Sequence, residues 1–305
     1  MLLIEYTTKL TGFNPEGDGY SKRNAVFLGE ASQAAYGSPD ASDPNGMQAW
    51  ARMAGFTECI PFQAQCGVFH KGNVEGFVAK SDSLILVSFR GTDATVGDWL
   101  IDFHSTPVTD PVIPGHVHQG FHEGLLAVWE QIRPHLQARG NRRVWITGHS
   151  LGGALAVACA ARATFESPRV GIRGIYTYGQ PRYGDAKCAQ ECANLLGSVL
   201  FRHVNDRDIV PRVPPFVPGF RHWGAEISYD KTNGASFHPS SVEEAKDMLR
   251  RFLANPLDFT AIKNLLQREN EDAAIRKMKE TSYQAAADHF MAEAYLPILR
   301  KEAGD

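Results

Sequence analysis

A chain of 305 residues with 43% hydrophobic content carries enough apolar side chain for one core of α/β size, and a single domain over 1–305 is expected. A formal net charge of -3 with no basic stripe lacks the electrostatic footprint of a nucleic-acid binder, so nucleic acid is not an expected partner. Five cysteines, an odd count in a chain this long, do not imply a disulfide framework, although a single bridge between Cys59 and Cys66 stays open.

In chain order, residues 1–20 are polar and glycine-containing and read as a loosely attached arm. The apolar run at Leu2-Leu3-Ile4 is too short for a signal-peptide core and has no positive region before it, so a cytoplasmic or already processed chain is expected. No stretch approaches the ~18 apolar residues of a membrane span. Apolar positions Ala25, Leu28, Ala31 and Ala35 recur at helical spacing, which predicts a helix over 23–36 stopped by Gly37-Ser38-Pro39. A second short helix fits Met47 to Ala54, and strands Val74 to Ala79 and Ser83 to Phe89 read as a hairpin across Lys80-Ser81-Asp82. A proline-rich loop is expected over 104–117, then a helix from His118 through about Leu136.

The run from Arg143 to Ala161 organises the rest. Val144-Trp145-Ile146-Thr147 predicts a strand, Gly148-His149-Ser150-Leu151-Gly152 is G-x-S-x-G, and an alanine-rich helical stretch follows at once, which is the strand, tight turn and helix of a nucleophile elbow. Glycines two residues either side of Ser150 leave room for strand and helix to approach closely. Strands at Gly174 to Tyr178 and Ser198 to Val204, with a helix from Asp185 between them, complete an alternation that predicts a mostly parallel sheet with helices on both faces. Arg221 to Tyr229 reads as a last strand. Beyond it, 231–285 is expected to be a helical insertion, with helices at Val242 to Leu253, Leu257 to about Glu280 and Gln284 to Lys301, the last kinked or shortened by Pro297.

A serine hydroxyl is a weak nucleophile at neutral pH, so Ser150 needs a neutral histidine as base and an acid to hold that ring's tautomer. In this arrangement chain order runs serine, acid, histidine. Asp208 and Asp206 both follow the strand ending near Val204; Asp208 is preferred because Ile209-Val210-Pro211 can shield it. For the base, His238 and His289 stay level on residue pattern alone. The set His116-x-His118-x-x-x-His122 lacks cysteines or an acid at ligand spacing and reads as solvated or structural histidines, so no metal and no cofactor is expected.

Six ordered motifs carry a resemblance: Arg90-Gly91-Thr92, Asp98-Trp99 with Asp102, His118-x-Gly120-Phe121, Gly148 to Ala156, Tyr178-Gly179-Gln180-Pro181-Arg182-x-Gly184-Asp185, and Val204-Asn205-x-x-Asp208-Ile209-Val210-Pro211-x-Val213-Pro214-Pro215. Over residues 25–230 the chain resembles the class 3, fungal-type triacylglycerol lipases of the α/β-hydrolase superfamily, a group that includes feruloyl esterases and phospholipases. The resemblance implies Asp208 as the acid and favours His289, in Asp288-His289-Phe290-Met291 with Tyr295, over His238. It implies Thr92 and the Leu151 amide as the oxyanion hole. It further implies a lid over 93–99 with Val96, Trp99 and Leu100 as apolar contacts. The expected activity is hydrolysis of acylglycerol esters through an acyl-enzyme on Ser150, at a lipid–water interface. A feruloyl-type or short-chain esterase, an acyltransferase, and a non-catalytic binding protein using 231–285 are the alternatives.

Overall fold

The computed structural model describes residues 8–17, 19–66, 73–91, 106–205, 208, 210–213, 219–230, 234–238 and 291–304. In chain order the elements are α1 (Lys22–Ala34), α2 (Met47–Ala54), β1 (Glu58–Gln65), β2 (Asn73–Lys80), β3 (Leu84–Phe89), β4 (Pro107–Thr109) and β5 (His116–His118). After these come α3 (Gln119–Gln137), β6 (Arg143–His149), α4 (Leu151–Phe165), β7 (Ile172–Tyr178), β8 (Gly184–Asp185), α5 (Ala186–Leu196) and β9 (Leu200–Asn205). The last are β10 (Phe220–Arg221), β11 (Ala225–Asp230), β12 (Gly234–His238) and α6 (Leu296–Ala303). Side-chain caps fix three helix starts: Ser21 accepts from the Asn24 amide, Asp185 from that of Cys188, and the His118 ring from that of Gly120.

The main sheet has eight strands in the order β1-β2-β3-β6-β7-β9-β11-β12. Strands β3, β6, β7, β9 and β11 run parallel, with antiparallel pairs added at both edges. Period-two alternation decides which face each residue joins. Along β3, Ile85, Val87 and Phe89 pack with α3, α4 and α5, while Leu84 and Leu86 pack with α1, α2 and α6. Trp145 and Tyr176 belong to the second layer, and Val144, Ile146 and Ile175 to the first. The α/β architecture with helices on both faces is therefore as expected. A smaller antiparallel sheet, β10-β8-β5-β4, lies apart from it in pairing.

Several expectations are corrected. The N-terminal arm is not loose where it is described: Phe13 is buried with its ring 4.8 Å from Phe27 and 4.9 Å from Trp145, and Asn14 and Asn24 exchange two hydrogen bonds of 3.0 Å. The proline-rich loop contains β4 and β5. The strand expected over Arg221 to Tyr229 is divided at Gly224, whose φ of 76° turns the chain between β10 and β11. The expected helical insertion 231–285 opens instead with a strand, β12, paired to β11, and 239–290 lie outside the described residues. Cys59, near the start of β1, and Cys66, just past its end, are about 23 Å apart along the extended chain, a span that no disulfide closes.

Candidate active site

Ser150 is a single-residue hinge between β6 and α4. Its backbone sits at φ 57°, ψ −129°, and among the described residues it alone has positive φ without being glycine. Such a conformation costs of the order of 1–3 kcal/mol and persists only where the surroundings over-determine it. Here they do. The Ser150 amide donates to the Tyr178 carbonyl at 2.8 Å, and its own carbonyl accepts from Gly153 at 2.9 Å. A Cβ on Gly148 would collide with the Gly152 carbonyl oxygen, and one on Gly152 with that of Phe89, so both glycines are required by the approach of β6, α4 and the end of β3. Beneath the turn, Thr147 Oγ1 donates to the Tyr176 carbonyl at 2.8 Å, and Ser32 Oγ lies 2.8 Å from the same hydroxyl.

The turn delivers Ser150 at the carboxyl edge of the parallel strands with α4 starting beside it. Leu151 is the first residue of α4, so its amide belongs to the positive end of that helix. Thr92 lies outside the described residues. Gly91 before it is pressed against the nucleophile: a Cβ there would stand 2.8 Å from the His149 carbonyl oxygen and 3.1 Å from Ser150 Cβ, and would collide with the Tyr36 hydroxyl. The residues expected to form a lid, Val96, Trp99 and Leu100, are also outside. Ser150 retains only 6% exposure.

Asp208 follows the end of β9 and is fully buried, as the Ile-Val-Pro segment beside it suggested. Its Oδ1 accepts from the Val210 amide at 2.9 Å and its Oδ2 from the Tyr295 hydroxyl at 2.6 Å. Asp206 is outside the described residues. Since β9 is two strands from β6, Ser150 and Asp208 rise from the same sheet edge about 10 Å apart in strand positions.

Register sets His238 apart from the serine. Gly148 pairs with Thr177, Thr177 with Arg202, Arg202 with Glu226, and Glu226 with His238. Four strand spacings, about 19 Å, therefore lie between the His238 and Gly148 backbones. That gap exceeds the combined reach of an imidazole and a serine hydroxyl. His289 lies outside the described residues; the helical turn Met291–Tyr295 that follows it brings Tyr295 onto Asp208.

Two phenols belong to this site that residue pattern assigned no role. Tyr295 donates to Asp208, accepts from the Asn205 amide at 3.0 Å and stands edge-on to His149 with ring centroids 5.9 Å apart. Burial and the neighbouring carboxylate push its pKa far above the usual phenol value, so it stays a neutral donor. Tyr36, just past α1, holds His149 Nδ1 at 2.8 Å. The three histidines of the 116–122 run are engaged separately: His116 Nδ1 with Asp185 at 2.9 Å, His118 Nδ1 with the Gly120 amide at 3.2 Å, and His122 Nε2 with Asp110 at 3.4 Å.

A parallel sheet with a strained serine between strand and helix defines an α/β-hydrolase. The family described as lipase (class 3) matches residues 86–217. A lipase from Rhizomucor miehei is 35% identical over 167 residues, covering 50% of this chain and 44% of that protein. Secreted mono- and diacylglycerol lipase 1 from Fusarium solani is 31% identical over 170 residues, covering 52% of this chain and 49% of that protein. The structure of lipase II from Rhizopus niveus superposes with a TM-score of 0.57 at 25% identity, covering 73% of this chain and 87% of that one. Over these residues the chain is similar to the class 3 lipase family. It spans about half the length of the curated relatives it matches. The expectation of a cytoplasmic or already processed chain, drawn from its first residues, is overturned: the Fusarium solani relative is named a secreted lipase. No described helix is long and apolar enough to cross a membrane.

Proposed function

We propose that this chain is a serine carboxylic-ester hydrolase acting on acylglycerol esters. Ser150 Oγ attacks the ester carbonyl while His289 takes its proton, and Asp208 orients the ring and stabilises the imidazolium. Thr92 and the Leu151 amide hold the oxyanion, and water then hydrolyses the acyl-enzyme. The observation that carries this reading is the backbone of Ser150, strained and locked between β6 and α4. The buried Asp208 on the same sheet edge, its carboxylate accepting from the Val210 amide and the Tyr295 hydroxyl, supports the acid, and the 19 Å scale of the separation from His238 supports His289. Its match to the class 3 lipase family, with relatives named lipases, supports acylglycerols as the substrate class.

A nucleophile at 6% exposure supports a site that opens before an acyl chain enters, so turnover of a long-chain ester is expected to rise at a lipid–water interface. The test is covalent labelling by a fluorophosphonate, abolished in Ser150→Ala together with a loss of about 10⁶ in turnover, followed by a series of esters of increasing acyl length. Labelling that survives Ser150→Ala, or a preference for aryl or acetyl esters with no response to an interface, overturns the acylglycerol reading. Since the base must be neutral, activity is expected to fall below about pH 6 to 7.

A further inference from the structure

Glu30 is a carboxylate with no exposure, in the middle of α1. Its Oε1 accepts from Arg300 Nη2 at 2.8 Å, and its Oε2 accepts from the Thr8 amide at 3.1 Å and the Thr8 hydroxyl at 2.5 Å. One buried acid thus ties the N-terminal segment and α6 to α1. Next to it Gly29 forms a notch: a Cβ there would stand 2.9 Å from Leu299 Cδ1 and 2.9 Å from Met291 Cε, so the surface of α1 is shaped to the residues of α6 and of the turn before it.

The geometry points to Glu30 and Arg300 as remote positioning residues for the acid of the catalytic centre. Tyr295 is the residue immediately before α6, with Pro297 in the first turn fixing φ at the junction. Arg300 lies five residues further along a rigid helix, about 7.5 Å away in rise. Seating Arg300 on Glu30 therefore sets where the Tyr295 hydroxyl stands, and that hydroxyl sits between the Asn205 amide and Asp208 Oδ2. Arg300 is partly exposed but Glu30 is fully buried, so removing the guanidinium leaves a buried carboxylate without its counter-charge, a costly loss that makes the pair effective at fixing a single register. The Lys22–Glu302 pair joins the same helices at 3.0 Å but is exposed, and it serves as a control.

This inference rests on the reading of Asp208 as the triad acid, so its test needs a readout that does not use activity. In the full-length chain, hydrogen exchange at the Asn205 and Val210 amides, which bond Tyr295 and Asp208, is compared between wild type, Arg300→Met, Arg300→Lys and Lys22→Ala. Arg300→Met is expected to speed exchange at both amides at least about tenfold while the amides of β6 are unchanged. It is also expected to lower kcat on a soluble short-chain ester several-fold at constant KM. Arg300→Lys is expected to restore most of both, and Lys22→Ala to alter neither. Unchanged exchange at Asn205 and Val210 in Arg300→Met, with only a lower Tm, overturns the proposal. If Arg300→Met does not fold, Arg300→Gln takes its place: wild-type exchange at both amides overturns the proposal, and faster exchange there with β6 unchanged supports it. Faster exchange in a chain that hydrolyses no ester leaves the docking role standing and removes the reading of Asp208.

Discussion

At the scale of single residues, the site is set by what one atom does to its neighbour. The Tyr295 phenol is one of two described donors to a carboxylate that has no exposure. In Tyr295→Phe, Asp208 loses a hydrogen bond to its charged form, a kind of bond worth about 1.5–3 kcal/mol, so turnover is expected to fall about ten- to hundredfold. The sign of the pH effect follows. A carboxylate with fewer donors is a stronger acceptor for the imidazolium, which raises the base pKa and moves the acid limb of kcat/KM to higher pH. Steady-state kinetics from pH 5 to 9 on a soluble ester checks both, and an unshifted acid limb with full turnover rules the phenol out of the site. Ser150 strain and Asp208 burial were visible from local pattern because elbow and Ile-Val-Pro are short-range features. The phenols were not, because Tyr295 reaches Asp208 across 87 residues and Tyr36 reaches His149 across 113.

At the scale of elements, the turn works only if β3, β6 and α4 approach within backbone contact. Gly152→Ala places a methyl group against the Phe89 carbonyl, in an environment of backbone rather than flexible side chain. The expected cost is about 1–3 kcal/mol or more in urea unfolding, with loss of turnover exceeding what the unfolded fraction explains. A variant as stable and active as wild type shows that the crowding is relieved elsewhere. The same distinction between local and non-local causes explains what the sequence revealed of the fold. Residues 47–54 were read to the residue because an amphipathic turn ends in Gly55 at φ 103°, and β6 and α4 because their periods change across one glycine-bordered turn. Strand β1 is not legible in the sequence because Pro61 interrupts the alternation of Ile60, Phe62 and Ala64, a feature tolerated because it is an edge strand. Strand β12, Gly-Ala-Ser-Phe-His, has little intrinsic strand preference and exists as a partner for β11. That pairing also puts four strand spacings between His238 and Gly148, a separation that spacing along the chain does not show.

At the scale of the whole molecule, buried histidines couple stability to pH. His203 is buried in β9, its Nδ1–H donating to the Thr177 carbonyl at 3.1 Å and its ring stacked on Tyr178 at 4.6 Å and Tyr229 at 6.0 Å; burial pushes its pKa down to about 3. His118, capping α3, is pushed down by burial to about 3 as well, and burial followed by the Arg202 and Arg182 charges holds His222 well below its usual value. For each, the folded pKa lies below the unfolded value of about 6.5. Below that pH the unfolded chain binds protons that the native chain does not, so stability falls as pH falls, and the loss continues down to about pH 3. Each histidine steepens the slope by up to about 1.4 kcal/mol per pH unit, a drop shared by the entire fold. Urea unfolding between pH 7.5 and 4 measures it. His203→Gln keeps a donor for the Thr177 carbonyl but cannot titrate, so its stability is expected to fall with pH by about one proton's slope less than wild type. A wild-type profile flat across this range, or a His203→Gln profile parallel to it, would show that the ring is protonated inside the folded sheet. Measured on the same samples, loss of activity at pH values where the chain is still fully folded reports the base beside Ser150 alone.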